Sequence, residues 1–166
     1  GHEVVMSGPD LDQVIARDDV DLVVLDLDLG VAGIADDAAV AAVVNRGVGV
    51  IVLSALASAR HVRRMVGAGC CAVVSKQDEL ADLQSAVDAA LVGDMWMTPT
   101  LARAFLEDRG AGRPELSRKE IEALRLYACG MKLDTVARRM GIAPSTAKQY
   151  IDRVRHKYEV LGHRAR

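Results

Sequence analysis

The chain has 166 residues and a formal net charge of −2, which allows one large domain or two small ones. About half of the residues are hydrophobic (51%) but only 3% are aromatic, so we expect an aliphatic core and exclude a disordered chain. No apolar run is long enough to cross a bilayer. The charge is unevenly divided: from Arg113 onward the net charge is +7 (thirteen Lys and Arg, six Asp and Glu), whereas the preceding part carries −9 (eight against seventeen). The basic part is therefore the candidate for binding nucleic acid.

The first two-thirds of the chain alternates apolar runs with amphipathic segments. A short extended segment (Glu3 to Met6) precedes the first helix, and each later strand is followed by a helix. The predicted strands are 21–29, 48–53 and 71–75, and the predicted helices are 11–17, 36–44, 58–66 and 78–91. Strands and helices alternating at this spacing indicate an α/β domain with a parallel, doubly wound sheet.

The segment after residue 92 connects two different compositions. Thr98 and Pro99 are typical of a helix start, and a connecting helix is predicted to run to Glu107. The Gly- and Arg-rich stretch 108–114 is the clearest linker in the sequence. We therefore divide the chain into an α/β domain (1–92), a connecting helix and linker (93–114) and a helical domain (115–166).

The last part of the sequence predicts three helices. Ser117 and Glu120 form a capping-box pattern at the start of the first helix, which is predicted to run to about Ala128. A short helix (133–140) ends at Gly141, and a longer basic helix starts at Pro144 and is predicted to run to about residue 159. Two helices joined by a tight glycine-containing turn, the second longer and basic, are typical of a helix-turn-helix domain.

Polar residues follow the ends of the three predicted strands. Asp26 and Asp28 end the first strand, Ser54 follows the second, and Lys76 follows the third. Carboxyl ends of parallel strands meet at one edge of a sheet, where a carboxylate, a hydroxyl and an ammonium can form a phosphoryl-accepting site. Residue spacing alone equally allows ordinary strand-end residues in exposed loops.

The cysteines point away from a disulfide or metal site. Cys70, Cys71 and Cys129 are odd in number, two of them are adjacent, and no CxxC motif or histidine cluster accompanies them. We expect reduced thiols and a cytoplasmic protein.

The ordered residues Asp26, Ser54 and Lys76 make the α/β part similar to a response-regulator receiver domain, over roughly residues 3–92. This resemblance implies a flavodoxin-like fold in which Asp26 is the phosphoacceptor, Ser54 and Lys76 bind the phosphoryl group, and a sensor histidine kinase is the donor. It also implies Mg²⁺ at Asp26. The first receiver strand and its paired acidic residues have no counterpart here, and Asp10 and Asp12 are better explained as turn and helix-start residues than as that pair. Val73 and Gly30 replace the switching aromatic and the proline usual in receivers.

The helical part resembles the helix-turn-helix of LuxR/NarL-type regulators without gaps from Leu116 to Tyr158. The resemblance places Lys148 at a DNA-contacting position of the recognition helix. Thr146 and Gln149 flank Lys148 and can reach phosphate and adenine, and further along the helix we expect phosphate contacts from Arg153, Arg155 and Lys157. Asp152 stands where the family often has a basic or polar residue, and it would accept from cytosine or repel phosphate. Ala143 replaces the usual serine cap.

These features predict a DNA-binding transcriptional regulator without enzymatic activity of its own. Control would come from phosphorylation at Asp26 or, in an atypical regulator, from protein or ligand contacts. The expected partners are double-stranded DNA, a histidine kinase, RNA polymerase and a second copy of the chain, with no membrane. The family's last, dimer-forming helix is expected near Val160, where little sequence remains. The alternative interpretation is a protein-interaction module that docks on a transcription or signalling partner without reading DNA sequence.

Overall fold

A computed structural model describes residues 1–26, 36–54 and 58–165, without the side chains of Asp36 and of 162–165. The elements in chain order are α1 (Leu11–Ile15), β1 (Leu22–Asp26), α2 (Asp36–Val44), β2 (Gly49–Leu53), α3 (Ala59–Ala68), β3 (Ala72–Val74), α4 (Leu80–Leu91), α5 (Pro99–Glu107), α6 (Arg118–Ala128), α7 (Leu133–Met140) and α8 (Pro144–Ala165).

The three strands form a parallel sheet in the order β1-β2-β3. Side chains alternate across β2, so that Val50 and Val52 face one helix layer while Ile51 faces the other. α4 covers the Ile51 face, and α2 and α5 contact the sheet from the opposite face. Helices on both faces of a parallel sheet confirm the predicted α/β domain followed by a helical domain.

Several sequence predictions differ from the structure. Glu3 to Met6 form no strand, β1 begins at Leu22 rather than at Asp21, and β3 is confined to Ala72–Val74 because only these residues pair with β2. α8, which was predicted to run to about residue 159, continues to Ala165 without a break near Val160. The predicted residues Asp28, Gly30 and the end of the first strand lie outside the described residues.

One hydrophobic core joins the two halves of the chain. Its buried residues run from Leu11 in α1 through α5 to Tyr158 in α8. The Phe105 and Tyr158 rings stack with centroids 3.6 Å apart, and the Tyr127 hydroxyl donates to the Met97 carbonyl at 2.8 Å. The division into domains at residues 92 and 114 remains a prediction. α5, which lies between these two boundaries, packs on α3 and β3 before it and on α6 after it.

Candidate functional site

The three C-terminal helices form a helix-turn-helix whose ends are set by local chemistry. The predicted capping box is present, because the Ser117 hydroxyl accepts from the Glu120 amide at 3.1 Å and the Glu120 carboxylate accepts from the Ser117 amide at 3.0 Å. α7 ends at Gly141, whose φ of 67° lies in the left-handed region that favours glycine. α8 then starts at Pro144 after a two-residue turn.

α8 presents one exposed face and one buried face. The buried residues are spaced at three and four positions and pack into the core: Ala147, Ile151, Val154 and Tyr158. The opposite face follows the same spacing and is exposed, apart from a half-buried Asp152: Ser145, Lys148, Gln149, Asp152, Arg153 and His156. The structure therefore brings Lys148, Gln149 and Arg153 together on one accessible face, with Thr146 half-buried at its border.

Charged contacts fix the side chains on this face. The Lys148 ammonium lies 2.7 Å from the Asp152 carboxylate, one helical turn further on. The Arg153 guanidinium lies over the Tyr150 ring, 5.7 Å from its centroid, an arrangement that orients the cation while leaving its N–H donors accessible. Both contacts hold basic groups at the surface rather than in the core.

Two predicted DNA contacts, Arg155 and Lys157, are instead engaged within the protein. Arg155 donates to the Met95 carbonyl at 3.2 Å and pairs with Glu159 at 3.3 Å. Lys157 pairs with the buried Glu120 at 2.7 Å and donates to the Glu115 carbonyl at 2.8 Å. These contacts point Arg155 towards the connection and Lys157 towards the start of α6, away from the exposed face of α8.

Other basic residues with accessible charge lie on α7 and at the position just before it, and the sequence motifs did not single them out. Lys132, Arg138 and Arg139 are exposed and form no ion pair with any residue the structure describes. Arg138 and Arg139 end the helix that precedes the turn, beside the start of α8. The basic excess after Arg113 was the available signal, but composition alone cannot select the helix.

At the carboxyl edge of the sheet, the predicted phosphoryl site has the expected order. Asp26 is the last residue of β1 and is paired in register with Leu53, the residue before Ser54. The Ser54 amide donates to the Val74 carbonyl at 3.0 Å, which ties the ends of β2 and β3 together. Ser54 is buried, Asp26 is half-buried, and Lys76 is exposed in the turn after β3. The three side chains thus follow three neighbouring strand ends.

The residues that the structure describes do not form a Mg²⁺ site. No group of three His, Cys, Asp or Glu able to hold a metal occurs in ranges 1–26, 36–54 and 58–165. Asp10 caps α1 by accepting from the amides of Asp12 and Gln13, and Asp12 lies in the first turn, which is the helix-start role predicted for both. Asp28, the other acidic residue predicted at this strand end, lies outside the described residues.

A cleft of about 640 Å³ lies near the amino-terminal ends of β1 and β2, beside Glu159 of α8. Its charged lining residues include Arg17, Asp21 and Arg46, and none of the predicted site residues contributes to it. The cleft is therefore separate from both the strand-end residues and the exposed face of α8.

Asp108, which follows α5, makes buried polar contacts with both the α/β half and α8. Its side chain is only 3% exposed and accepts from the Tyr158 hydroxyl at 2.9 Å, from the Gly110 amide at 2.8 Å and from Arg63 of α3 at 3.5 Å. Burial and the hydrogen bond to Asp108 raise the pKa of Tyr158 above its usual value, so the phenol stays protonated. Within the predicted linker 108–114, Asp108 is thus anchored by buried polar contacts, whereas residues 109–113 are exposed.

This geometry defines a class: an α/β domain followed by a helix-turn-helix with an exposed basic second helix is the architecture of a DNA-binding regulator. Residues 114–164 match the family model of bacterial regulatory proteins, luxR family. This part of the chain is therefore a LuxR-family helix-turn-helix domain, as the sequence motifs predicted.

Solved structures with a similar fold include response regulators. The RcsB response regulator of Salmonella typhimurium matches with a TM-score of 0.50 and 21% identity, over 90% of this chain and 76% of that chain. The ChrA response regulator of a heme-sensing two-component system matches with a TM-score of 0.43 and 22% identity, over 87% of this chain and 75% of that chain. The RcsB similarity shows a shared fold. The search of curated proteins finds no match.

Proposed function

We propose that this protein regulates transcription by placing α8 in the major groove of double-stranded DNA. The observation that carries the proposal is the exposed face of α8, which bears Lys148, Gln149 and Arg153 within a LuxR-family helix-turn-helix. An α-helix fits the major groove, where lysine donates to guanine and glutamine to adenine. The family match gives no support to the alternative of a docking module that does not read DNA.

The contacts of the basic residues divide them by role. Lys148 and Gln149 are proposed to read bases, and Thr146 and Arg153 to contact phosphate. Arg138 and Arg139 at the end of α7 are proposed as further phosphate contacts, because they are exposed and unpaired among the described residues. Arg155 and Lys157 are not among the proposed phosphate contacts, because their charged groups bind other residues of the protein.

DNA selection and binding at several salt concentrations test this proposal. The protein should enrich a shared site from genomic fragments, and the affinity for that site should fall steeply as salt increases. Lys148→Ala should weaken binding by about tenfold, which is about 1.4 kcal/mol. Lys119→Ala is the matched control, because Lys119 is a similarly exposed lysine paired with Glu122 on α6. Equal effects of the two substitutions would contradict the role given to α8.

For the α/β half, we propose that the Asp26 carboxylate accepts a phosphoryl group from a phosphohistidine of a sensor kinase. The P–N bond of the donor breaks, an O–P bond forms at Asp26, and the histidine is the leaving group. Ser54 would donate a hydrogen bond to a phosphoryl oxygen, and the Lys76 ammonium would balance the added charge. No step of this transfer is assigned to Mg²⁺, which remains a prediction at Asp26.

Intact-mass measurement tests the modification. A low-molecular-weight phosphodonor should add one phosphoryl group to the wild-type chain and none to Asp26→Ala. Lys76→Ala should reduce the extent of labelling while leaving the fold intact, because Lys76 is exposed. An unchanged wild-type mass would favour the atypical alternative, in which protein or ligand contacts control this half.

The remaining partners are proposals that follow from the DNA-binding role. We propose a cytoplasmic protein that forms a homodimer when active and contacts RNA polymerase at promoters. None of the helices in the described part of the chain has the length and apolar character needed to span a membrane. Sedimentation before and after phosphodonor treatment tests the dimer, and a monomer under both conditions, with or without the selected DNA, would refute it.

A further inference from the structure

Asp152 is an acidic residue in the middle of an otherwise neutral or basic face. Among the described side chains of α8, the only other carboxylate is Glu159, which pairs with Arg155 on the side that contacts the α/β half. Asp152 lies on the face that carries Lys148, Gln149 and Arg153, with 40% of its side chain exposed. The face proposed to approach DNA therefore contains one negative group.

The fold does not need this carboxylate. Its partners are Lys148 at 2.7 Å and Arg155 at 3.7 Å, and Lys148 is 62% exposed. Exposed ion pairs of this kind contribute little to stability. A carboxylate also repels phosphates, so at this position it lowers general affinity for DNA. The Asp152 carboxylate therefore weakens non-specific binding to DNA and contributes little to the stability of the helix. This combination favours a role in selecting the base sequence.

Hydrogen-bonding chemistry limits which bases Asp152 accepts. An ionised carboxylate has only acceptors. In the major groove cytosine offers the N4 amino donor, whereas guanine presents the acceptors N7 and O6 and thymine presents O4. Adenine offers a donor at N6 next to the acceptor N7, so it suits a carboxylate less well than cytosine does.

The pair with Lys148 places a donor and an acceptor side by side. Residues four apart on a helix are separated by about 6 Å along its axis. Base pairs are spaced by about 3.4 Å, so the two side chains address positions within about two base pairs of each other. The carboxylate at 2.7 Å also restrains the Lys148 ammonium, which would otherwise sample many rotamers.

We propose that Asp152 determines specificity by accepting from a cytosine N4 amino group while it positions Lys148 towards a nearby guanine. This inference rests on the proposed DNA-binding function and adds the base that one residue reads. A carboxylate at this position selects cytosine and rejects guanine and thymine through acceptor–acceptor repulsion.

Selection from a randomised DNA library with the full chain tests the proposal. The wild type should enrich cytosine at one position of each half-site. Asp152→Asn should shift that position to adenine, because an asparagine amide both donates to N7 and accepts from N6. Asp152→Ala should lose the preference at that position and retain the rest of the site. Direct binding to duplexes that differ only at this base pair should show discrimination of about tenfold in the wild type, lost in Asp152→Ala.

Glu122→Gln is the matched control. It removes one carboxylate from an exposed lysine pair on α6 and so makes the same change in net charge. It should leave the selected site unchanged. The melting temperatures of Glu122→Gln and of the two Asp152 variants should match that of the wild type. Asp152 variants that select the wild-type site at every position, or change affinity equally for all sequences, would overturn the inference. A wild type that selects no site would instead overturn the proposed function, on which the inference depends.

Discussion

Lys157 offers the sharpest test of the division between DNA-binding and structural basic residues. Its position on the basic C-terminal helix predicts a phosphate contact, but its ammonium lies 2.7 Å from Glu120, a residue that is 4% exposed. Glu120 also closes the capping box at the start of α6. Lys157→Ala should therefore destabilise the protein rather than weaken its contact with DNA.

The magnitude follows from what the substitution leaves behind. Breaking a fully buried ion pair costs about 3–5 kcal/mol, because the remaining charge is buried without its partner. Lys157 is 36% exposed, so water can reach the end of the side chain, and we reduce the expected loss to about 2–3 kcal/mol. For a chain of this size each kcal/mol lowers Tm by about 2–4 °C, which gives a decrease of roughly 4–12 °C.

Thermal unfolding and salt-dependent DNA binding measure the two effects separately. Lys157→Ala should lower Tm and leave the salt slope unchanged, whereas Arg153→Ala, which removes a proposed phosphate contact, should reduce the slope by about 1 and leave Tm unchanged. In a double-mutant cycle with Glu120→Gln, the coupling between the two side chains should be about 1 kcal/mol or more. A Lys157→Ala variant with wild-type stability and a reduced salt slope would refute the assignment.

Three further predictions address other parts of the chain. Leu101→Ala should cost about 2–5 kcal/mol in a single unfolding transition followed by circular dichroism, because Leu101 is fully buried in the core shared by both halves; two separate transitions would contradict a shared core. Arg153→Ala should weaken DNA binding without lowering Tm, whereas Arg155→Ala should lower Tm without weakening DNA binding. Burial raises the pKa of Cys71, so alkylation followed by mass spectrometry at pH 8 should modify the exposed Cys129 first, and the rate at Cys71 should keep rising at higher pH as its thiolate forms; faster labelling of Cys71 would contradict its burial.

Local signals in the sequence predicted most of the fold. Thr98 and Pro99 start α5 as expected, with the Thr98 hydroxyl accepting from the Leu101 amide at 3.1 Å. The Ser117–Glu120 capping box and the turn at Gly141 follow from residues within four positions of each other. Such contacts depend on short stretches of sequence, which is why they can be predicted without knowledge of the tertiary structure.

Contacts between distant residues could not be predicted in this way. Lys148 and Lys157 are both lysines on one helix, and only the packing of α8 shows that the first is exposed and the second faces Glu120, 37 residues earlier. Asp108 lies among glycines and arginines that are typical of an exposed linker, yet it is buried and contacts Tyr158 and Arg63, which are both distant in the sequence. Burial of a polar residue depends on partners that its own neighbourhood does not specify.

The same packing gives α8 a role in both halves of the protein. Over 22 residues the helix is about 33 Å long, and its first turns belong to the helix-turn-helix. Further along, Arg155 and Tyr158 contact Met95 and Asp108 in the connection, and the helix also packs on α3 of the α/β half. A movement of α3 or of Asp108 must therefore either carry α8 with it or break the Asp108–Tyr158 hydrogen bond and the stacking on Phe105. In the proposed regulation, a signal at the sheet edge would reach α8 through direct contacts, because the helix proposed to read DNA packs on α3 of the α/β half.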